Sequence, residues 1–107
     1  MVNPHRGEVE VPINGVPFTA RLTLGALAEL EHALGEDSLM ALVERFESQR
    51  FAATDILHLL HAGLRGGGGW HGGTDDLMAA HIGAGPLDAA RLAAQLLARA
   101  FGPVDAS

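Results

Sequence analysis

Val9-Glu10-Val11-Pro12-Ile13-Asn14-Gly15-Val16-Pro17-Phe18-Thr19-Ala20 is the stretch on which the fold turns. Val9, Val11 and Ile13 alternate with Glu8, Glu10 and Pro12, the two-residue period of a strand with one buried face. Asn14-Gly15 follows, and a tight hairpin turn needs positive φ at both of its central residues, which Asn and Gly adopt most easily. The second run puts Phe18, Ala20 and Leu22 on one face and Thr19 and Arg21 on the other. A two-residue turn sets Ile13 opposite Val16, Val11 opposite Phe18 and Val9 opposite Ala20, all on one face. The same register sets Glu8 opposite Arg21, a favourable cross-strand pair. Pro12 and Pro17 then meet at a non-hydrogen-bonded position, where a missing N–H removes nothing from the ladder and discourages stray pairing at the edge.

A lone hairpin is marginal in water, so its apolar face must rest on something. The rest of the chain reads as helices. Thr23 is the expected N-cap of a first helix over about 24–34, with Leu24, Leu27, Leu30 and Leu34 near one stripe and Gly35 as its stop. Asp37 or Ser38 caps a second, over about 38–47, whose apolar face is Leu39, Leu42, Val43 and Phe46. Thr54 is the expected cap of a third, 54–65, with Ile56, Leu57, Leu60 and Leu64 inward. The Gly66–Gly73 segment reads as the mobile loop that ends it. Thr74 opens a short helix over 74–82, and Pro86 suits the first turn of a last helix, 86–101, which Gly102-Pro103 stops. The expected fold class is α+β, mostly α. A two-stranded β-hairpin (7–23) packs on a bundle of four to five helices, in one domain spanning 1–107.

The last of these helices is unusual. Its polar residues Asp88, Arg91, Gln95 and Arg99 recur every three or four positions and form one narrow stripe. The remainder is Leu, Ala and Phe. Such a helix asks for burial over most of its circumference, and part of it is expected to face a partner. Leu92, Leu96, Leu97 and Phe101 would offer a groove to an amphipathic helix.

Composition removes several function classes. Seven Lys and Arg stand against thirteen Asp and Glu, a net charge of −6, and there is no basic run, which argues against nucleic acid as a partner. With no cysteine there is neither a disulfide framework nor a thiolate metal site. No apolar run is long enough to cross a bilayer, and Met1–Arg6 is not followed by the apolar core of a secretory signal. The expected location is the cytoplasm. The Gly66–Gly73 segment lacks the Lys of a phosphate loop and follows a helix instead of a strand. His58 and His61 share one side of a helix, and His71 and His81 are candidates to approach in space, but no His-Glu-x-x-His pattern occurs and no metal or other cofactor is expected. Ser38 and Ser48 sit in cap or connector positions, and no nucleophile, base and orienting group come together, so no catalytic residue is expected.

Two stretches carry a family resemblance. The hairpin leading into Leu22-Thr23-Leu24-Gly25-Ala26-Leu27-Ala28-Glu29-Leu30-Glu31, and the helix ending His61-Ala62-Gly63-Leu64-Arg65-Gly66, resemble in order and spacing the gene transfer agent tail proteins. These are grouped as phage tail tube or tail assembly chaperone proteins, and the resemblance runs over about residues 5–101. It implies a non-enzymatic protein of a prophage-like element. Such a protein would coat the tape measure protein, or another tail protein, before the tail tube polymerises. A homo-oligomer is also compatible with it. Tail tubes are built on extensive sheets and two strands are legible here, which favours the chaperone over a structural tail component. A metal- or ligand-binding enzyme is the third and weakest expectation.

Overall fold

The structure, a computed structural model, describes Val2, residues 6–35 and residues 39–101. Asn14 and Gly15 adopt φ of 51° and 83°, so the turn has the two positive values its geometry demands. It joins β1 (Val9–Ile13) to β2 (Val16–Ala20) in a two-stranded antiparallel sheet. The register pairs Val9 with Ala20, Val11 with Phe18, Pro12 with Pro17 and Ile13 with Val16. Val9, Val11, Ile13, Ala20 and Leu22 are buried, whereas Val16, beside the turn, is exposed. The ladder ends at Val9–Ala20, and just beyond it the Arg21 N–H donates to the Gly63 carbonyl at 2.7 Å.

Among the described residues five helices follow: α1 (Leu24–Leu34), α2 (Leu39–Glu47), α3 (Ala53–Gly67), α4 (Thr74–Ala79) and α5 (Pro86–Phe101). The fold is α+β and mostly α, with the hairpin laid against the helices. Helix α3 is the hub and packs on α1, β2, α4 and α5. The buried side chains form one cluster, dominated by Leu30, Leu42, Leu59, Leu60, Leu64, Leu77 and Leu96.

The helix ends show where local sequence cues hold and where they yield. Thr23 caps α1, its Oγ1 accepting from Ala26 N–H at 3.1 Å, and Gly35 closes the helix at φ 68°. Leu24 was expected on the packed stripe but is 84% exposed, and Ala26 and Leu30 are the buried residues of α1. As the first helical residue it precedes the turn that reaches the core. Asp37 and Ser38, expected to cap α2, and the stop at Gly102-Pro103 lie outside the described residues.

Thr54 does not cap α3. The helix begins one residue earlier, and the Asp55 carboxylate reaches back to accept the Ala52 N–H at 2.8 Å. Asp76 does the same for Gly73 N–H at 2.7 Å, so Thr74 is the first residue of α4 and not its cap. Helix α4 ends at Ala79, short of the expected 82. Ile82 instead forms a bridge with Ile13. Around it Asn14 N–H donates to His81 O at 2.8 Å and Gly83 N–H to Pro12 O at 2.9 Å. The outer edge of the hairpin thereby gains backbone partners that a continued helix could not supply.

Helix α3 also runs past its expected end. Gly66 and Gly67 are helical, and a Cβ on either would overlap the backbone carbonyl of Arg21 or Thr19. These two glycines are not a loop. They let α3 touch the backbone of β2, and left-handed Gly68, at φ 87°, ends the helix.

Candidate functional site

The strip expected to meet a partner on α5 is mostly core. Leu92, Leu96 and Leu97 are buried, and Leu96 approaches Gly63 of α3, where the missing side chain makes room for it. Helix α3 and the hairpin together cover more of α5 than its sequence reveals. Phe101, 42% exposed, is the member of that set left at the surface.

Exposed apolar surface lies at the other end of α5. Leu87 is 89% exposed and Met78 is 69% exposed. Met78, Pro86 and Ala89 line an open groove of about 530 Å³, whose other wall is the first half of α3 with Ile56, Leu57 and Leu60. The floor comes from the Ala80–Ile82 segment. This segment is extended because Ile82 bridges Ile13, and that bridge holds α4 apart from α5. The Asp88 carboxylate fixes the following turn by accepting from Ala84 N–H at 2.9 Å and from Arg91. Those hydrogen bonds hold its pKa below the ordinary carboxyl value. The groove is apolar walled and has the dimensions of a site for side chains of another protein or a small ligand.

The N-terminal end of α3 is pinned to α2. Arg45 clasps Asp55 with Nε to Oδ2 at 3.0 Å and Nη2 to Oδ1 at 2.9 Å. Asp55 is the one charged residue among the described residues to be fully buried. Burial alone pushes its carboxyl up. The hydrogen bonds from Arg45 and Ala52, with the positive charges of Arg45 and His58, outweigh that and hold it below the ordinary value. Phe46 and Phe51 stack at 4.5 Å beside this joint. The sequence reading took Asp55 only as a first-turn charge. Arg45 and Asp55 stand ten positions apart on two different helices, a spacing with no periodic signature that would have disclosed the pair.

The histidines are dispersed. His32, His58 and His61 line a cleft between α1 and α3, His71 lines a second beside Trp70, and His81 lines the apolar groove. His71 and His81 therefore do not share a cleft. Among the described residues no group of three or more His, Asp or Glu is placed to hold a metal ion. Among the described residues no helix is long and apolar enough to cross a membrane.

Taken together, these features define a small, mostly helical α+β protein with an apolar surface groove, assembled around a hairpin and a central helix. The chain belongs to the phage tail tube protein family GTA-gp10, whose family model matches residues 6–103. No curated protein and no solved structure matches it. It is thus a tail-associated protein of phages and gene transfer agents.

Proposed function

We propose that this chain is a non-enzymatic tail assembly chaperone that binds the tape measure protein before the tail tube polymerises. The observation that carries this reading is the groove between α3 and the α4–α5 segment, with Met78 of its lining exposed and Leu87, next in sequence to the lining residue Pro86, exposed as well. Apolar side chains held in water beside an apolar cleft suit the ridge of an amphipathic helix from a partner. A long tape measure protein is a source of many such ridges. The two-stranded sheet supports the same reading, since a tube wall calls for a broader one and both edges of this hairpin already meet other parts of the chain.

The experiment is co-expression with the tape measure protein of the same element. A chaperone raises the soluble fraction of that protein and co-purifies with it before assembly. The family description itself favours a second reading, a tail component retained in the particle. Mass spectrometry of purified particles separates the two. A chaperone is missing from them, whereas a structural component is present in stoichiometric amount.

A further inference from the structure

The hairpin turn asks of Asn14 only a positive φ. That demand leaves a choice, since Asn, Asp and Gly all serve at the first position of a two-residue turn of this kind. The side chain of Asn14 does something the turn does not require. Its Oδ1 accepts the His81 N–H at 2.9 Å, while the Asn14 N–H donates to the His81 carbonyl at 2.8 Å. One residue thus holds both backbone groups of another that stands 67 positions away.

His81 is the middle residue of the Ala80–Ile82 floor of the apolar groove. The floor meets the hairpin through a single isolated bridge, Ile13 with Ile82, so it draws no support from a longer ladder. Among the described residues the hydrogen bonds across this contact are the two made by Asn14 and the one from Gly83 N–H to Pro12 O at 2.9 Å. In so short a contact each bond counts. Of the described residues lining the groove, Thr54 and His81 carry the polar side chains. In an apolar pocket the few polar groups fix how a guest is oriented. Where the His81 backbone is held therefore sets where one of those two groups is presented.

We propose that Asn14 is a positioning residue of the groove, its carboxamide clamping His81 so that the floor and the His81 side chain meet a partner in one arrangement. The inference rests on the groove being the partner site. Gly at position 14 would keep the turn and both backbone hydrogen bonds but offer no acceptor to the His81 N–H. Asp would keep the turn and the acceptor together. The clamp therefore separates residues that the turn treats alike. It also makes the hairpin turn the outer anchor of the groove. By reciprocity, a guest that needs the floor in place holds the turn in place as well.

The test compares Asn14→Gly and Asn14→Asp in the full chain, by amide hydrogen exchange and by affinity for the tape measure protein. Exchange at His81 is read against exchange at Val11, which pairs with Phe18 in the same hairpin, so that a general loosening by the added glycine cancels. Asn14→Gly should speed His81 about fivefold relative to Val11, the scale of one lost hydrogen bond of ordinary strength, and should weaken capture by about the same factor. Asn14→Asp should return both to the values of the unaltered chain. Three outcomes would overturn the proposal: an unchanged ratio of His81 to Val11 exchange in Asn14→Gly, equal loss of capture in the two variants, or undiminished capture by Asn14→Gly although His81 is released. Failure of the unaltered chain to capture the tape measure protein would strike the chaperone reading instead. The exchange comparison needs no partner and would still decide whether Asn14 holds the floor.

Discussion

A Cβ on Gly66 or Gly67 would fall inside van der Waals contact of the Arg21 or Thr19 carbonyl, so at these positions one methyl group decides whether α3 can touch β2. Gly67→Ala should destabilise the protein by about 3 kcal/mol, the upper range for forcing atoms into a packed interface. Gly69→Ala, whose Cβ would meet nothing closer than Phe18 at 4.0 Å, should be near neutral. Chemical denaturation of the two variants checks the contrast. Asp55 acts at the same scale through charge. Its pKa is lowered in the folded chain, so its contribution is complete above the ordinary carboxyl range and is lost as pH falls through the folded-state value. Asp55→Asn should cost about 2 kcal/mol at neutral pH, as expected for losing hydrogen bonds between charged groups. It should also flatten the acid limb of the stability profile, and urea midpoints at neutral pH and near pH 3 measure both effects.

At the scale of elements, α5 carries the main lesson. Its leucine face reads equally well as core or as partner surface, because periodicity reports which side is apolar and not what covers it. Leu96 is buried against α3, so Leu96→Ala should cost about 2–5 kcal/mol with the fold retained, and Leu96→Asp should unfold the chain instead of merely weakening partner binding. Thermal unfolding followed by circular dichroism distinguishes these. The hairpin's turn and its register from Val9–Ala20 to Ile13–Val16 were legible, because its turn, its alternation and its prolines are all local constraints that agree, whereas the expected Glu8–Arg21 pair lies beyond the ladder and Val16 is exposed. The start of α1 was legible through Thr23 for the same reason. The cap of α3 was misread by two residues and that of α4 by one, since a carboxylate inside the first turn can fix a helix start by accepting the cap residue's own N–H, with no hydroxyl at the cap.

For the whole molecule, the prediction concerns what is left uncovered. Leu87→Asp combined with Met78→Asp should abolish capture of the tape measure protein, with thermal stability changed by less than about 0.5 kcal/mol, as is usual for surface positions. Co-purification from cells checks the first part and thermal unfolding the second. Loss of capture without loss of stability assigns the groove to binding. Unchanged capture would remove it from the interface. Neither side chain was singled out from the sequence for this role. Met78 and Leu87 are apolar residues within helices, and their neighbours Leu77 and Ala89 are buried.

The order of local signals along the chain was enough to specify a β-ribbon followed by leucine-rich helices, along with the family to which they belong. Each of those signals is a preference of a few neighbouring residues for a backbone shape, and such preferences survive without knowledge of the fold. The location of the apolar groove, the Arg45–Asp55 clasp and the helical use of Gly66 and Gly67 came only with the tertiary structure. These depend on which faces are covered and which backbones come into contact. That is settled by packing among segments distant in sequence, where several arrangements satisfy the same local pattern and only the global one determines what remains open to water.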